Sequence, residues 1–91
     1  MNFEYYLKLQ KSGDLSNAEK GYKHLIKEKN IVNNLFASLG LIYLQTNREK
    51  TAIKFFNKEL IINPLNTVAL NNLGIINLNL KNYLIAKNYF L

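Results

Sequence analysis

The sequence predicts an all-α chain folded as a solenoid of antiparallel helix hairpins, and three observations predict it. First, residues fall into rows 34 apart without a gap: Ala18, Ala52 and Ala86; Tyr22, Phe56 and Phe90; Tyr5, Leu39 and Leu73; Gly40 and Gly74 with Tyr6 above them; Ile26 and Leu60. A fixed period of this length is the signature of stacked supersecondary units, because unrelated helices would not keep one register through five rows. Second, the spacing inside each repeat is helical. Phe36, Leu39, Gly40 and Tyr43 run i, i+3, i+4, i+7, and Ala52, Phe55, Phe56, Glu59 and Leu60 do the same in the next segment. Third, stop and cap residues stand at the joints between these segments.

The joints place the elements in order. A first helix near 2–11 ends at Ser12-Gly13-Asp14, a glycine stop followed by a capping aspartate, and a second follows near 15–29. The next pair is predicted near 33–46 and 48–62, separated by Gln45-Thr46-Asn47-Arg48, where Thr46 and Glu49 have capping-box spacing. Asn63-Pro64 closes that pair, since proline pushes its predecessor out of the helical region. Asn66 is then placed to cap a helix near 67–80, and a last helix runs near 83–91. The domain is single, 1–91, with repeats of about 1–32, 33–66 and a truncated 67–91.

These residues resemble the tetratricopeptide repeat. Phe36, Leu39, Gly40, Tyr43, Ala52, Phe56 and Pro64 match its pattern of aromatic, leucine, glycine, tyrosine, alanine, aromatic and proline; Leu70, Leu73, Gly74, Tyr83, Ala86 and Phe90 match it again. The first copy keeps Gly13, Asp14, Ala18 and Tyr22 but has Tyr6 where glycine is preferred, and Glu59 occupies a place where the family has a small residue. The resemblance covers essentially the whole chain. It implies a right-handed superhelix of hairpins, a protein-binding role and no cofactor. Family members that grip acidic chaperone tails carry a concave clamp of lysines, arginine and asparagines. Here the matching rows hold Phe3, Leu7, Ser38, Val68 and Asn72, so that clamp is missing. Members fused to sugar transferases carry an asparagine ladder, of which only Asn72 is present, with Ser38 and Glu4 in the other rungs.

Composition removes several classes of function. There is no cysteine, hence no disulfide or thiolate metal site, and the expectation is a cytoplasmic protein. No apolar run approaches the roughly 18 residues of a membrane span, so no membrane partner is expected. Met1 to Lys11 mixes Glu4, Tyr5, Tyr6 and Lys8 and reads as no secretory leader. Catalysis needs converging groups of tuned acidity. One histidine, one aspartate and scattered serines and glycines offer neither that nor a metal set, so no enzyme activity, metal or cofactor is expected. The net charge of +6 is carried by lysines, with Arg48 the sole arginine. Lys50, Lys54 and Lys58 form an i, i+4, i+8 column whose like charges repel by a few tenths of a kcal/mol. That column could attract phosphates, but lysine lacks arginine's planar fork, and nucleic acid is an unlikely partner.

The informative surface is the inner one. Opposite the core stripe of each first helix, one row reads Leu7, Leu41, Ile75 and its neighbour reads Gln10, Leu44, Leu78, with Asn34, Ala37, Ser38, Asn71 and Asn72 around them. Such a row forms the concave face of a solenoid, and an apolar strip edged by amides suits a partner helix or extended peptide. The competing reading is that these leucines pack between adjacent first helices. The leading expectation is therefore a protein-binding scaffold. The alternative is the N-terminal repeat segment of a larger enzyme, of glycosyltransferase or sulfotransferase type, that positions a protein substrate. The last repeat stops at Leu91, about two turns short of its counterpart, leaving Ile85, Tyr89 and Leu91 without cover. This predicts either a piece of a longer protein or end-to-end self-association through an uncapped hairpin.

Overall fold

Six helices follow one another along the chain: α1 (Phe3–Lys11), α2 (Leu15–Lys27), α3 (Leu35–Gln45), α4 (Glu49–Ile62), α5 (Thr67–Asn79) and α6 (Tyr83–Phe90). The computed structural model describes residues 1–90, with the backbone alone at Tyr83 and Leu84, and among these residues there is no strand. Every predicted helix is present, with ends within two residues of the predicted ones; the last predicted residue, Leu91, lies outside the described residues. None of the helices is long and apolar enough to cross a membrane.

Sequence neighbours pack together. α1 lies on α2, α3 on α4 and α5 on α6; α2 touches α3 and α4 touches α5 across the longer joints. The first helices α1, α3 and α5 also meet in succession, whereas the second helices α2, α4 and α6 do not touch one another among the described residues. The alanine row sits at these crossings, with Ala18, Ala52 and Ala86 all at 0% exposure. Leu39 and Leu73 are buried as their row predicts, but Tyr5 of the same row is exposed, its ring set edge-on to Tyr6 at 5.6 Å. Tyr89 packs against the core, which corrects its placement on the open end. Phe90, taken as a core aromatic, covers Gly74 with one face yet stays half exposed, and Ile85 is exposed as expected.

The departure at Tyr6 has a steric explanation. In the second hairpin a Cβ on Gly40 would stand 2.8 Å from the Phe56 ring, so glycine on the first helix makes room for an aromatic on the second. The third hairpin repeats this with Gly74 and Phe90. The first hairpin inverts it: Tyr6 is the aromatic, on the first helix, and its ring lies directly over Gly21 on the second. One large and one absent side chain meet in either case, but Gly21 stands one position before Tyr22, the counterpart of Phe56, so the first hairpin makes its room from a shifted place.

Helix ends repeat as faithfully as cores. α1, α2, α3 and α5 each close with the same pair of backbone bonds, the second residue past the cap reaching back five positions and the first reaching back three; at α3 these are Arg48 N–H to the Tyr43 carbonyl (2.8 Å) and Asn47 N–H to the Leu44 carbonyl (3.3 Å). This turn needs a left-handed residue, which is Gly13 after α1 but Lys29, Asn47 and Lys81 after the others, at φ 58°, 61° and 61°. The arrangement corrects the role predicted for Thr46. Its hydroxyl donates to the Ile42 carbonyl at 2.8 Å and so finishes α3 rather than starting α4. α4 begins at Arg48 with no side-chain cap. Asp14 and Asn66 cap α2 and α5 as predicted, accepting from the backbone N–H of Asn17 (3.3 Å) and Ala69 (2.9 Å).

Glu59, the other departure, is a buried carboxylate at 1% exposure. Asn34 precedes α3 in the left-handed region (φ 73°) and gives it no side-chain cap. The first N–H groups of a helix need acceptors. Glu59 supplies one from the facing helix, its Oε1 accepting the Ala37 N–H at 3.0 Å. The side chain is thus a helix cap delivered across the hairpin.

A surface cluster ties the first two hairpins together. Arg48 clasps Glu19 with two bonds, Nη1 to Oε2 at 3.0 Å and Nη2 to Oε1 at 2.6 Å, while Lys23 Nζ meets Oε2 at 2.7 Å. The Arg48 guanidinium lies 4.5 Å over the Tyr43 ring. The Arg48 bonds, joined by Lys23 and opposed by partial burial, pull the Glu19 carboxyl from its ordinary 4.5 to about 2. A depressed carboxyl pKa stabilises the fold above the unfolded value and ceases to do so as pH falls through the folded one. The stability difference between the wild type and Glu19→Gln, read from urea unfolding, is therefore expected to hold steady from pH 7 to about 4.5 and to vanish towards about 2.

Candidate peptide-binding groove

Between α1 and α3 the inner face opens into a groove of about 480 Å³. Phe3, Leu7, Gln10 and Lys11 line it from α1, Ser38, Leu41 and Gln45 from α3, and Asn34 and Val68 close the end nearest α5. The helical period explains the α1 wall: residues 3, 7, 10 and 11 are three and four apart and share one face. Phe3 is steadied by stacking on Tyr22 with ring centroids 5.6 Å apart.

Of the residues predicted to form the site, Leu7, Asn34, Ser38 and Leu41 come together here. The rest do not. Ala37 is at 0% exposure, its N–H taken by Glu59, so it belongs to the core. Leu44 packs against the core. Asn72 turns back on its own helix, its Nδ2 donating to the Val68 carbonyl at 2.7 Å. Asn71, Ile75 and Leu78 stand exposed on α5, outside the groove, with Ile75 48% and Leu78 41% exposed. The row Leu7, Leu41, Ile75 is therefore divided: the first two line the groove between α1 and α3, and the third stands exposed on α5 outside it. Leu41 lines the groove and also rests on the core. Gln10 stands in the neighbouring inner row, and Phe3 and Val68 appear only as occupants of the absent clamp; Lys11 and Gln45 were missed as lining. Lys11 and Gln45 carried a usable signal, since each lies one turn after Leu7 or Leu41.

Much of the polar rim is already engaged. Gln10 donates from Nε2 to the Ser38 carbonyl (3.0 Å) and accepts from the Tyr22 hydroxyl at Oε1 (2.6 Å). Burial pushes the Tyr22 phenol up to about 12; hydrogen bonding to Ser38 partly offsets this and the Glu4 charge adds to it. Asn34 Oδ1 accepts from Asn66 Nδ2, and beside it Asn33 Oδ1 accepts from Asn63 Nδ2 at 2.8 Å, stitching the α2–α3 and α4–α5 joints together.

Of the Lys50, Lys54, Lys58 column on α4, Lys58 is drawn over the Phe55 ring at 4.8 Å. Lys23 on α2 is held by Glu19.

No family model matches the chain, and no solved structure matches it. A similar curated protein is the uncharacterized protein ycf37 of Pyropia yezoensis, 41% identical over 73 residues, which are 78% of this chain and 40% of the relative. The chain thus spans about two fifths of the length of the relative it matches.

Proposed function

We infer that the chain is a protein-interaction scaffold of the tetratricopeptide type, its hairpins wound as a right-handed superhelix, and that the α1/α3 groove takes an aliphatic peptide or helix. The observation that carries this reading is the groove itself, an apolar wall of Phe3, Leu7, Leu41 and Val68 edged by amides. Support for the family comes from the buried alanine row and from the pairs Gly40–Phe56 and Gly74–Phe90, in register with the repeat. The absence of cysteine fits a cytoplasmic setting.

Leu7 offers the cleanest test because it lines the groove without being part of the packed core. Peptides selected from a displayed random 12-mer library on the whole chain are expected to be rich in Leu, Ile and Val. Leu7→Ser should weaken the best of them by about 10- to 100-fold, the worth of one buried aliphatic side chain. Ile75→Ser, outside the groove, should leave affinity unchanged. Equal losses from the two variants, or binding that follows Lys50 and Lys54 with a steep salt dependence, would count against the groove.

A further inference from the structure

We propose that Gln10 is the gauge of this groove: by bridging the buried Tyr22 hydroxyl to the Ser38 carbonyl it fixes the separation of α1 and α3, and so decides which side chains the slot admits. The inference rests on the groove reading above and adds the residue that sets its width and selectivity.

Three observations carry it. Among the described residues, the bond from Gln10 Nε2 to the Ser38 carbonyl at 3.0 Å is the one hydrogen bond that joins α1 to α3. Its other end is anchored in a side chain that cannot move aside, since Tyr22 is at 0% exposure and its hydroxyl donates to Gln10 Oε1 at 2.6 Å. A buried hydroxyl left without a partner is costly, so Tyr22 holds Gln10 in one rotamer. The third observation is internal to the molecule. One repeat later, the positions of Gln10, Tyr22 and Ser38 are held by Leu44, Phe56 and Asn72. There Leu44 packs on the core, Phe56 has no hydroxyl and Asn72 bonds its own helix, so no strut spans α3 and α5. That gap is tied instead at the joints by the two asparagine pairs. The groove opens across the strutted gap.

The strut also determines what the slot selects. One N–H and one lone pair of the Gln10 amide are taken by the protein, which fixes its orientation beside the aliphatic side chains of Leu7 and Leu41. A polar side chain placed against Leu7 and Leu41 would lose its water without a replacement bond from them. The part of the slot lined by Leu7 and Leu41 therefore favours an aliphatic side chain over a polar one of similar size.

The test transplants the next repeat's solution. Gln10→Leu alone removes the acceptor of the Tyr22 hydroxyl, leaving it Ser38 alone, and is expected to destabilise the chain. The double variant Gln10→Leu/Tyr22→Phe recreates the Leu44–Phe56 pair, and removing both partners of a buried bond is near neutral. It should keep the wild-type melting temperature to within a few degrees. Because the chain has no cysteine, Lys8→Cys and Gln45→Cys give unique spin-label sites on α1 and α3. With the labels in place, the double variant should show a shifted or broadened α1–α3 distance distribution. In unlabelled samples, the tightest 12-mer from the library selection should bind it about tenfold more weakly or worse, and should lose its preference for Leu over Gln at the seated position. An unchanged distance distribution with unchanged affinity would overturn the gauge. A changed distance with unaltered affinity would overturn it too, and would move the fault to the groove reading. Should the double variant not fold, Tyr22→Phe alone releases one end of the strut, and the same two readouts decide.

Discussion

Glu59→Ala should be among the most damaging single changes in the chain, lowering stability by about 2–4 kcal/mol in chemical unfolding. Two costs add. The Ala37 N–H at the start of α3 loses its acceptor inside the protein, where no water replaces it, and the truncated side chain leaves space at a site now 1% exposed. Glu59→Gln is the informative comparison, because the amide keeps the shape and can present its oxygen to the same N–H. It should recover most of the loss. If Glu59→Ala is as mild as a surface change, within about 0.5 kcal/mol, then α3 is capped by something other than this carboxylate. The amide of Ala37 gives a local reading of the same event: its hydrogen exchange should accelerate more than that of residues in the middle of α3.

The inverted crossing of the first hairpin makes the second large prediction. Gly21→Phe places a ring where the Tyr6 ring already lies, and overpacking of this kind costs about 1–3 kcal/mol or more. Tyr6→Gly alone empties the same space and should cost a comparable amount. Together the two changes move the ring from the first helix to the second within the same space, at the position that Phe55 holds one repeat later. The double variant should be clearly more stable than the sum of the single losses, with a coupling energy above about 1 kcal/mol. Additive losses would mean that Tyr6 and Gly21 do not share one space.

These two sites also mark where sequence reading stopped. Period and helical spacing made every helix legible, and the alanine row named three fully buried positions. Tyr6 and Glu59 were visible as departures, but their compensations were not, because each lies on the partner helix: Gly21 is 15 residues from Tyr6, and Ala37 is 22 from Glu59. Thr46 was misplaced because a threonine before a helix and a threonine after one look alike in sequence; the left-handed Asn47 decides between them. In the groove, the row logic treated all first helices as equivalent. Leu7 and Leu41 line the groove while Ile75 stands outside it, and a row cannot convey that difference. Ala37 was miscounted since the angular position of a small residue on a helix places it near both core and groove.

The pattern of contacts has a mechanical consequence. The first helices touch in succession while the second helices stand apart among the described residues. A force that straightens the chain must pull α1 from α3 and α3 from α5, breaking the Gln10 bond as it does so. A force that fans the second helices apart meets no backbone-close contact between them and must break only the exposed Arg48–Glu19 clasp between α2 and the start of α4. Exposed ion pairs are weak, so resistance is unequal in the two directions.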